Sequence, residues 1–280
     1  MERLEKIVEE LRLRTRPPTE QELLNTVREY LQVLILKFVF QSRFGAAVSF
    51  MGGTALRICH GTKRYSEDLD FSLDDKKVPW RFSTLMDLIH KELRLTGFDV
   101  DSTVSEDKIV QKGFFRFAGL GGALGLRGFE KDQKLHIKIE VDVRPPLLKK
   151  DERESFFVNS FQEIFPILKH TLPTLFAGKV LAILHRPYAR GRDYYDLIWY
   201  LSRKTELNLA YLNRSGKGKK FKDRGTAMKA VAECTAKAKP AVILKDVGRF
   251  LEDPAEAQWL SRFDEVFRQL VGTGETRNVD

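Results

Sequence analysis

Asp68 and Asp70 stand two residues apart in the run Arg64-Tyr65-Ser66-Glu67-Asp68-Leu69-Asp70-Phe71. Charged and apolar residues alternate over residues 68–72, the pattern of a strand with one buried face, so both carboxylates project to the same side. Like charges this close repel, and one of them tends to take up a proton unless a cation lies between them. A hard divalent ion removes the conflict. Carboxylate oxygens completed by phosphate oxygens suit Mg2+, with Mn2+ as its substitute. A D-x-D alone recurs by chance on exposed strands, so its surroundings decide what it means. Upstream, the apolar run Val48–Met51 leads into Gly52-Gly53-Thr54. Such a turn either brings backbone N–H groups up to a phosphate or simply lets the chain pass tightly from strand to helix. A third carboxylate lies in residues 135–143, where Leu135, Ile137, Ile139, Val141 and Val143 alternate with His136, Lys138, Glu140 and Asp142. Glu140 and Asp142 share the polar face, and spacing does not choose between them.

The elements that must position these groups are legible in outline. Residues 2–14 place Leu4, Ile7, Val8 and Leu11 on one helical face. Thr19 reads as the N-cap of a second helix, with Glu20 and Glu22 in its first turn, running toward Phe40. Helices are expected at 54–59 and 80–95, and strands at 98–104 and 114–117, with 119–122 opening a hairpin connection. Pro145 and Pro146 end the strand that carries Glu140. Helices follow at 174–185 and 193–202, then a polar loop at 213–224. Further helices are broken at Lys239-Pro240 and Asp253-Pro254. The expected fold class is mixed α/β (α+β). N-terminal helices (1–44) pack on a mixed-sheet core with flanking helices (45–165), followed by a mostly helical C-terminal domain (166–280).

Composition sets the frame. The chain has 280 residues, 42% of them hydrophobic and 31% charged, enough for a sizeable core, and carries a net charge of +9. Between Lys179 and Arg224 there are twelve Lys or Arg against four Asp or Glu, so this block holds almost all of the excess. Arg214, Lys217, Lys219, Lys220, Lys222 and Arg224 are its densest part, with Tyr211 and Phe221 as stacking candidates. The block reads either as a polyanion-binding surface or as a solvated loop. Two distant cysteines, Cys59 and Cys234, make neither a disulfide scaffold nor a zinc site. The charged N-terminus and the absence of a long apolar run point away from a leader or a membrane span, and so to a cytoplasmic protein.

The run Gly52-Gly53-Thr54-Ala55-Leu56, followed by Arg64-Tyr65-Ser66-Glu67-Asp68-Leu69-Asp70-Phe71, resembles the AbiEii/AbiGii toxin branch of the nucleotidyltransferase superfamily. A second matching motif is a helix opening with Lys179, then Arg186, then Arg192-Asp193-Tyr194-Tyr195-Asp196-Leu197. Gly191 departs from that pattern, where a bulkier residue or proline is usual. The resemblance covers residues 45–200. It implies a nucleotidyltransferase fold and enzyme, with Asp68, Asp70 and Glu140 (favoured over Asp142) on the metal. Gly52, Gly53, Thr54, Arg64, Ser66, Lys179 and Arg186 would surround a nucleoside triphosphate. Lys179 would offset charge on pyrophosphate.

Several of these residues have plainer readings. Ser66 caps a turn, Lys179 is a solvated lysine, and Arg186 and Arg192 pair with the nearby aspartates. Asp193 is expected to be an N-cap, which leaves Asp196 as the catalytic candidate. His60 and His136 are expected to be bystanders. The resemblance also implies a toxin of a toxin–antitoxin or phage-defence system with a cognate antitoxin. It implies transfer of a nucleoside monophosphate to RNA, the tRNA 3′ end above all, with Arg192 and the basic block on the RNA. Transfer to a small molecule or protein, or RNA and nucleotide binding without catalysis, are the alternatives.

Overall fold

The computed structural model describes residues 1–126, 133–186, 190–216, 220–236 and 239–275. The chain forms two compact units. The first comprises Met1–Gly61, Tyr65–Leu147 and Glu154–Lys169. The second comprises Thr62–Arg64, Leu148–Arg153 and the chain from His170 onward.

The first unit is built on a seven-stranded mixed sheet of order β3-β4-β5-β2-β1-β7-β6. Its strands are β1 (Val48–Met51), β2 (Asp68–Leu73), β3 (Val100–Ser105), β4 (Val110–Phe117), β5 (Leu135–Asp142), β6 (Arg153–Ser160) and β7 (Glu163–His170). Strand β2 runs antiparallel to β1 and parallel to β5, and β4 is antiparallel to β5. One face of β2, β4 and β5 is buried. Leu69, Phe71, Phe115, Phe117, Ile137, Ile139 and Val141 are at most 1% exposed, each contributing about 1.5–3 kcal/mol on burial. Helices α2 (Glu20–Gln41) and α4 (Phe82–Leu95) cover the sheet. Gly113 of β4 admits Met86 of α4, where a Cβ would collide with the Met86 thioether. The register of the pleat therefore sends Asp68, Asp70, Lys138 and Glu140 to the opposite face.

Thr19 caps α2 as expected and does so in a full capping box. The Glu22 amide donates to Thr19 Oγ1 (3.2 Å) and the Thr19 amide to Glu22 Oε2 (2.6 Å). Helix α1 (Glu2–Arg12) buries Leu4 and Val8, and α3 (Gly52–His60) follows β1 directly.

The expected hairpin connection at 119–122 is instead a short helix, α5 (Leu120–Ala123). Gly119 at φ 71° turns the chain into it. Strands β6 and β7 were not expected. Their inward row includes Glu163 and Lys169, so the apolar alternation is broken, and Pro166 lies within β7. Glu163 is accommodated by Arg3 (2.5 Å) and Lys37 (2.8 Å), and Lys169 by Glu154.

The second unit is helical: α6 (Leu172–His185), α7 (Gly191–Ser202), α8 (Leu209–Ser215), α9 (Arg224–Thr235), α10 (Pro240–Val247), α11 (Ala257–Ser261) and α12 (Phe263–Glu275). Pro240 opens α10, where its missing N–H costs nothing. Helix α8 covers part of the stretch expected to be loop. Gly191 has a structural reason, since a Cβ there would meet the Ile243 carbonyl group of α10, with its carbon at 3.0 Å. A bulkier residue at that position would push α7 off α10. Among the described residues no helix is long and apolar enough to cross a membrane.

Candidate active site

The parallel register of β2 and β5 sets Asp68 beside Lys138 and Asp70 beside Glu140. On the far side of β5, Lys112 of β4 stands opposite Glu140. The result is a row Asp70–Glu140–Lys112 and a row Asp68–Lys138 on one face, with neighbouring strands about 4.8 Å apart. Lys138 Nζ lies 3.0 Å from Glu140 Oε1 and 3.6 Å from Asp68 Oδ2, and Lys112 Nζ lies 2.9 Å from Glu140 Oε1. Burial alone would raise the Glu140 carboxyl, but its hydrogen bonds to the two lysines outweigh this and hold it below the usual glutamate range. Burial would likewise lower the Lys138 ammonium, and Asp68 and Glu140 raise it instead. Asp142 sits one row further along, opposite Ser72, and accepts from the Arg144 amide (2.9 Å). Burial raises its carboxyl. Register and hydrogen bonding both set Glu140, not Asp142, next to Asp70.

Gly52 completes this arrangement. Met51 pairs with Asp70 across β1 and β2, and the next residue begins α3 at φ 80°. A Cβ on Gly52 would lie 2.9 Å from Asp70 Cγ and closer still to Oδ2. Only glycine lets the Asp70 carboxylate lie against the start of α3, whose free N–H groups and helix dipole favour anionic oxygens. The Thr54 hydroxyl donates to the Asp68 carbonyl oxygen, and the Gln32 side chain donates to that of Ser66 (3.0 Å). These bonds fix α3 and the approach to β2.

The donors suit a divalent cation. They are carboxylate oxygens on adjoining strands, and a lysine ammonium already spans two of them. Among the described residues no three ligating side chains converge into a ready-made cage.

In the second unit, Lys179 of α6 lies 2.8 Å from Asp193 Oδ1 and 2.7 Å from Asp196 Oδ2, both on α7. Arg186 also pairs with Asp193. Arg64 is 1% exposed, and its Nε and Nη2 each lie 2.6 Å from an Asp196 oxygen. Burial would lower the Lys179 ammonium, but the two aspartates raise it. Burial would raise the Asp193 carboxyl, but Lys179 and Arg186 lower it.

Arg64 and Thr54 are buried and engaged within the protein, Arg64 by the Asp196 carboxylate and Thr54 by the Asp68 carbonyl oxygen. Asp196 is 0% exposed and anchors Arg64 and Lys179. Asp193 is not an N-cap: it sits inside α7, whose N-cap is Arg190. Arg186 pairs with an aspartate as anticipated. Arg192 lies over the Phe250 ring at 4.7 Å.

In the basic block, Arg214 is bound to the buried Glu152, and Tyr211 and Phe221 are 6% and 7% exposed, so neither ring is available for stacking. Lys220 and Lys222 are exposed and Arg224 opens α9, while Lys217 and Lys219 lie outside the described residues. His60 Nε2 lies 3.1 Å from the Lys169 ammonium. The lysine partners of the carboxylates, Lys112 and Lys138, were missed as site residues. The alternation of 135–143 already put Lys138 on the polar face.

This fold is similar to that of several solved structures. JHP933 from Helicobacter pylori superposes with a TM-score of 0.54 at 16% identity, covering 91% of this chain and 96% of its own. MenT4, the nucleotidyltransferase toxin Rv2826c from Mycobacterium tuberculosis, superposes at 0.55 with 18% identity over 99% and 90%. A putative nucleotidyltransferase from H. pylori gives 0.55 at 15% identity over 90% and 98%. No protein of curated function matches by sequence. The family model "Nucleotidyl transferase AbiEii toxin, Type IV TA system" matches residues 36–280, and the chain belongs to that family. It is thus a nucleotidyltransferase of a toxin–antitoxin family, and membership implies a nucleoside triphosphate substrate and an antitoxin partner.

Proposed function

We propose that this protein transfers a nucleoside monophosphate from a nucleoside triphosphate to the 3′ end of RNA, with tRNA as acceptor and Mg2+ as the ion. The observation that carries the reading is the alignment of Asp70 with Glu140 on adjoining strands, with Gly52 yielding space to the Asp70 carboxylate. Asp68, Asp70 and Glu140 would hold Mg2+, which when bound supplies charge neutralisation for the phosphates. The amides of Gly52 and Gly53 and the Ser66 hydroxyl orient phosphate oxygens. A carboxylate of the set accepts the proton of the attacking hydroxyl. Its oxygen bonds to the α-phosphorus, the bond to the β-phosphate oxygen breaks, and pyrophosphate leaves. Lys179 and Arg186 are proposed as the cations for the pyrophosphate charge. Support for an RNA acceptor is the net charge of +9 and the exposed Lys220 and Lys222. The buried Tyr211 and Phe221 narrow what the basic block contributes.

The test incubates the protein with Mg2+, each labelled triphosphate in turn, and total RNA. Labelled tRNA that disappears with Asp68→Ala or Asp70→Ala is the expected result. Label on protein or a small molecule instead would refute the acceptor. Growth arrest on expression of wild type but not of Asp70→Ala tests the toxin role.

A further inference from the structure

The face that carries the carboxylates does not end at Glu140. Strand β4 continues it with Lys112 opposite Glu140, Phe114 opposite Lys138 and Arg116 opposite His136. The opposite face of the same strands holds Gly113, Phe115 and Phe117, turned into the core. Phe114 and Arg116 are therefore on the outer face by register, and both are only half-buried there, while His136 is exposed. The Arg116 guanidinium lies 5.8 Å from the Phe114 ring centroid, and the Asp101 carboxylate opposite it on β3 is held by Lys134 at 2.6 Å. An aromatic ring on an open sheet face gains nothing from water, and its chemistry suits a flat apolar partner. A cation beside it suits an anion attached to that partner. A nucleotide in a single strand offers both, a base for the ring and a phosphate for the guanidinium.

Position adds to chemistry. Gly52 and the start of α3 flank Asp70 from the β1 side. Phe114 lies on the other side, two strands over and one row along from Asp70, which is about 12 Å from strand spacing and rise. The nucleotides next to the reacting end of an acceptor strand cover such a distance.

We propose that a single-stranded RNA acceptor lies along this strip, with a base stacked on Phe114 and a backbone phosphate on Arg116, its terminal hydroxyl directed to Asp68 and Asp70. This rests on the transfer reading and names a surface in the sheet that selects the acceptor.

The experiment measures transfer kinetics and binding of a fluorescein-labelled unstructured RNA by anisotropy, using the full chain. Phe114→Ala raises the KM and Kd for RNA about tenfold and leaves the KM for the triphosphate unchanged, and Phe114→Tyr restores RNA binding. Arg116→Ala weakens binding and lowers the salt slope of the affinity by about one. Thermal melts establish that the variants are folded. Both side chains face outward, so their loss leaves the core intact. If wild type transfers label to RNA and both variants bind RNA as wild type does, the strip is overturned and the transfer reading stands. A Phe114→Ala effect confined to the triphosphate KM overturns it equally. If wild type labels no RNA at all, the transfer reading itself fails, and the strip with it.

Discussion

Gly52→Ala is a perturbation whose effect follows from the coordinates. The added Cβ would lie 2.9 Å from Asp70 Cγ and 3.0 Å from Asp70 Cβ, with Oδ2 nearer still, against about 3.5–4.0 Å for relaxed carbon contacts. The backbone at φ 80° adds about 1–2 kcal/mol for an L-side chain. Turning Asp70 off its rotamer adds about 1 kcal/mol. The expected loss of stability is therefore about 2–3 kcal/mol. The Asp70 carboxylate would move by a substantial fraction of an ångström, which costs on the order of a hundredfold in transfer rate. The two contributions separate in a double-mutant cycle. In an Asp70→Ala background the carboxylate is absent, so Gly52→Ala costs only the backbone part and the contact with the remaining Cβ, and the coupling in thermal or urea melts is about 1 kcal/mol. An unaltered transfer rate, or the same stability cost in both backgrounds, would refute the argument that glycine is there for Asp70.

Three further outcomes are expected. Glu140→Gln lowers the transfer rate by on the order of 10²–10³, while Asp142→Asn, one row away and bonded to the Arg144 amide, changes it only slightly. Equal losses in steady-state assays would contradict the register argument. Asp196→Asn strands Arg64, whose side chain is 2% exposed, and should destabilise the protein by about 3–5 kcal/mol, read as a lower urea midpoint. For pH, Lys179 and Arg186 hold Asp193 below the usual aspartate range. Its contribution to stability is complete above the ordinary aspartate value of about 3.9 and fades as pH falls through the depressed folded value. Urea melts of wild type and Asp193→Asn should therefore converge in the acid range. A gap that stays constant to low pH would remove the ion pairs from the explanation.

Much of the site was legible because it is written in period-two strands. Alternation at 68–72 and 135–143 put Asp68, Asp70 and Glu140 on polar faces, and the register then joined two strands far apart in sequence. Gly52 was legible as a turn residue, but its reason was not, because the atom it makes room for lies on another strand. Thr54, Arg64 and Asp196 are polar residues in a motif and so read as ligand contacts. All three are buried, and burial depends on helices whose packing the motif does not encode. Strands β6 and β7 escaped notice because Glu163 and Lys169 occupy inward positions, paired by Arg3, Lys37 and Glu154 from elsewhere in the chain. Phe114 looked like one more apolar strand residue until the register with Lys138 set it on the outer face.

The central claim is that the carboxylates of β2 and β5 carry out nucleotidyl transfer. The most direct measurement compares α-phosphate-labelled with γ-phosphate-labelled nucleoside triphosphate in the presence of RNA and Mg2+, for wild type and for Asp70→Asn. The account predicts that α-label becomes attached to RNA and γ-label is released as pyrophosphate, and that both signals vanish with Asp70→Asn. Transfer of γ-label to any acceptor, or undiminished α-label transfer by Asp70→Asn, would contradict it.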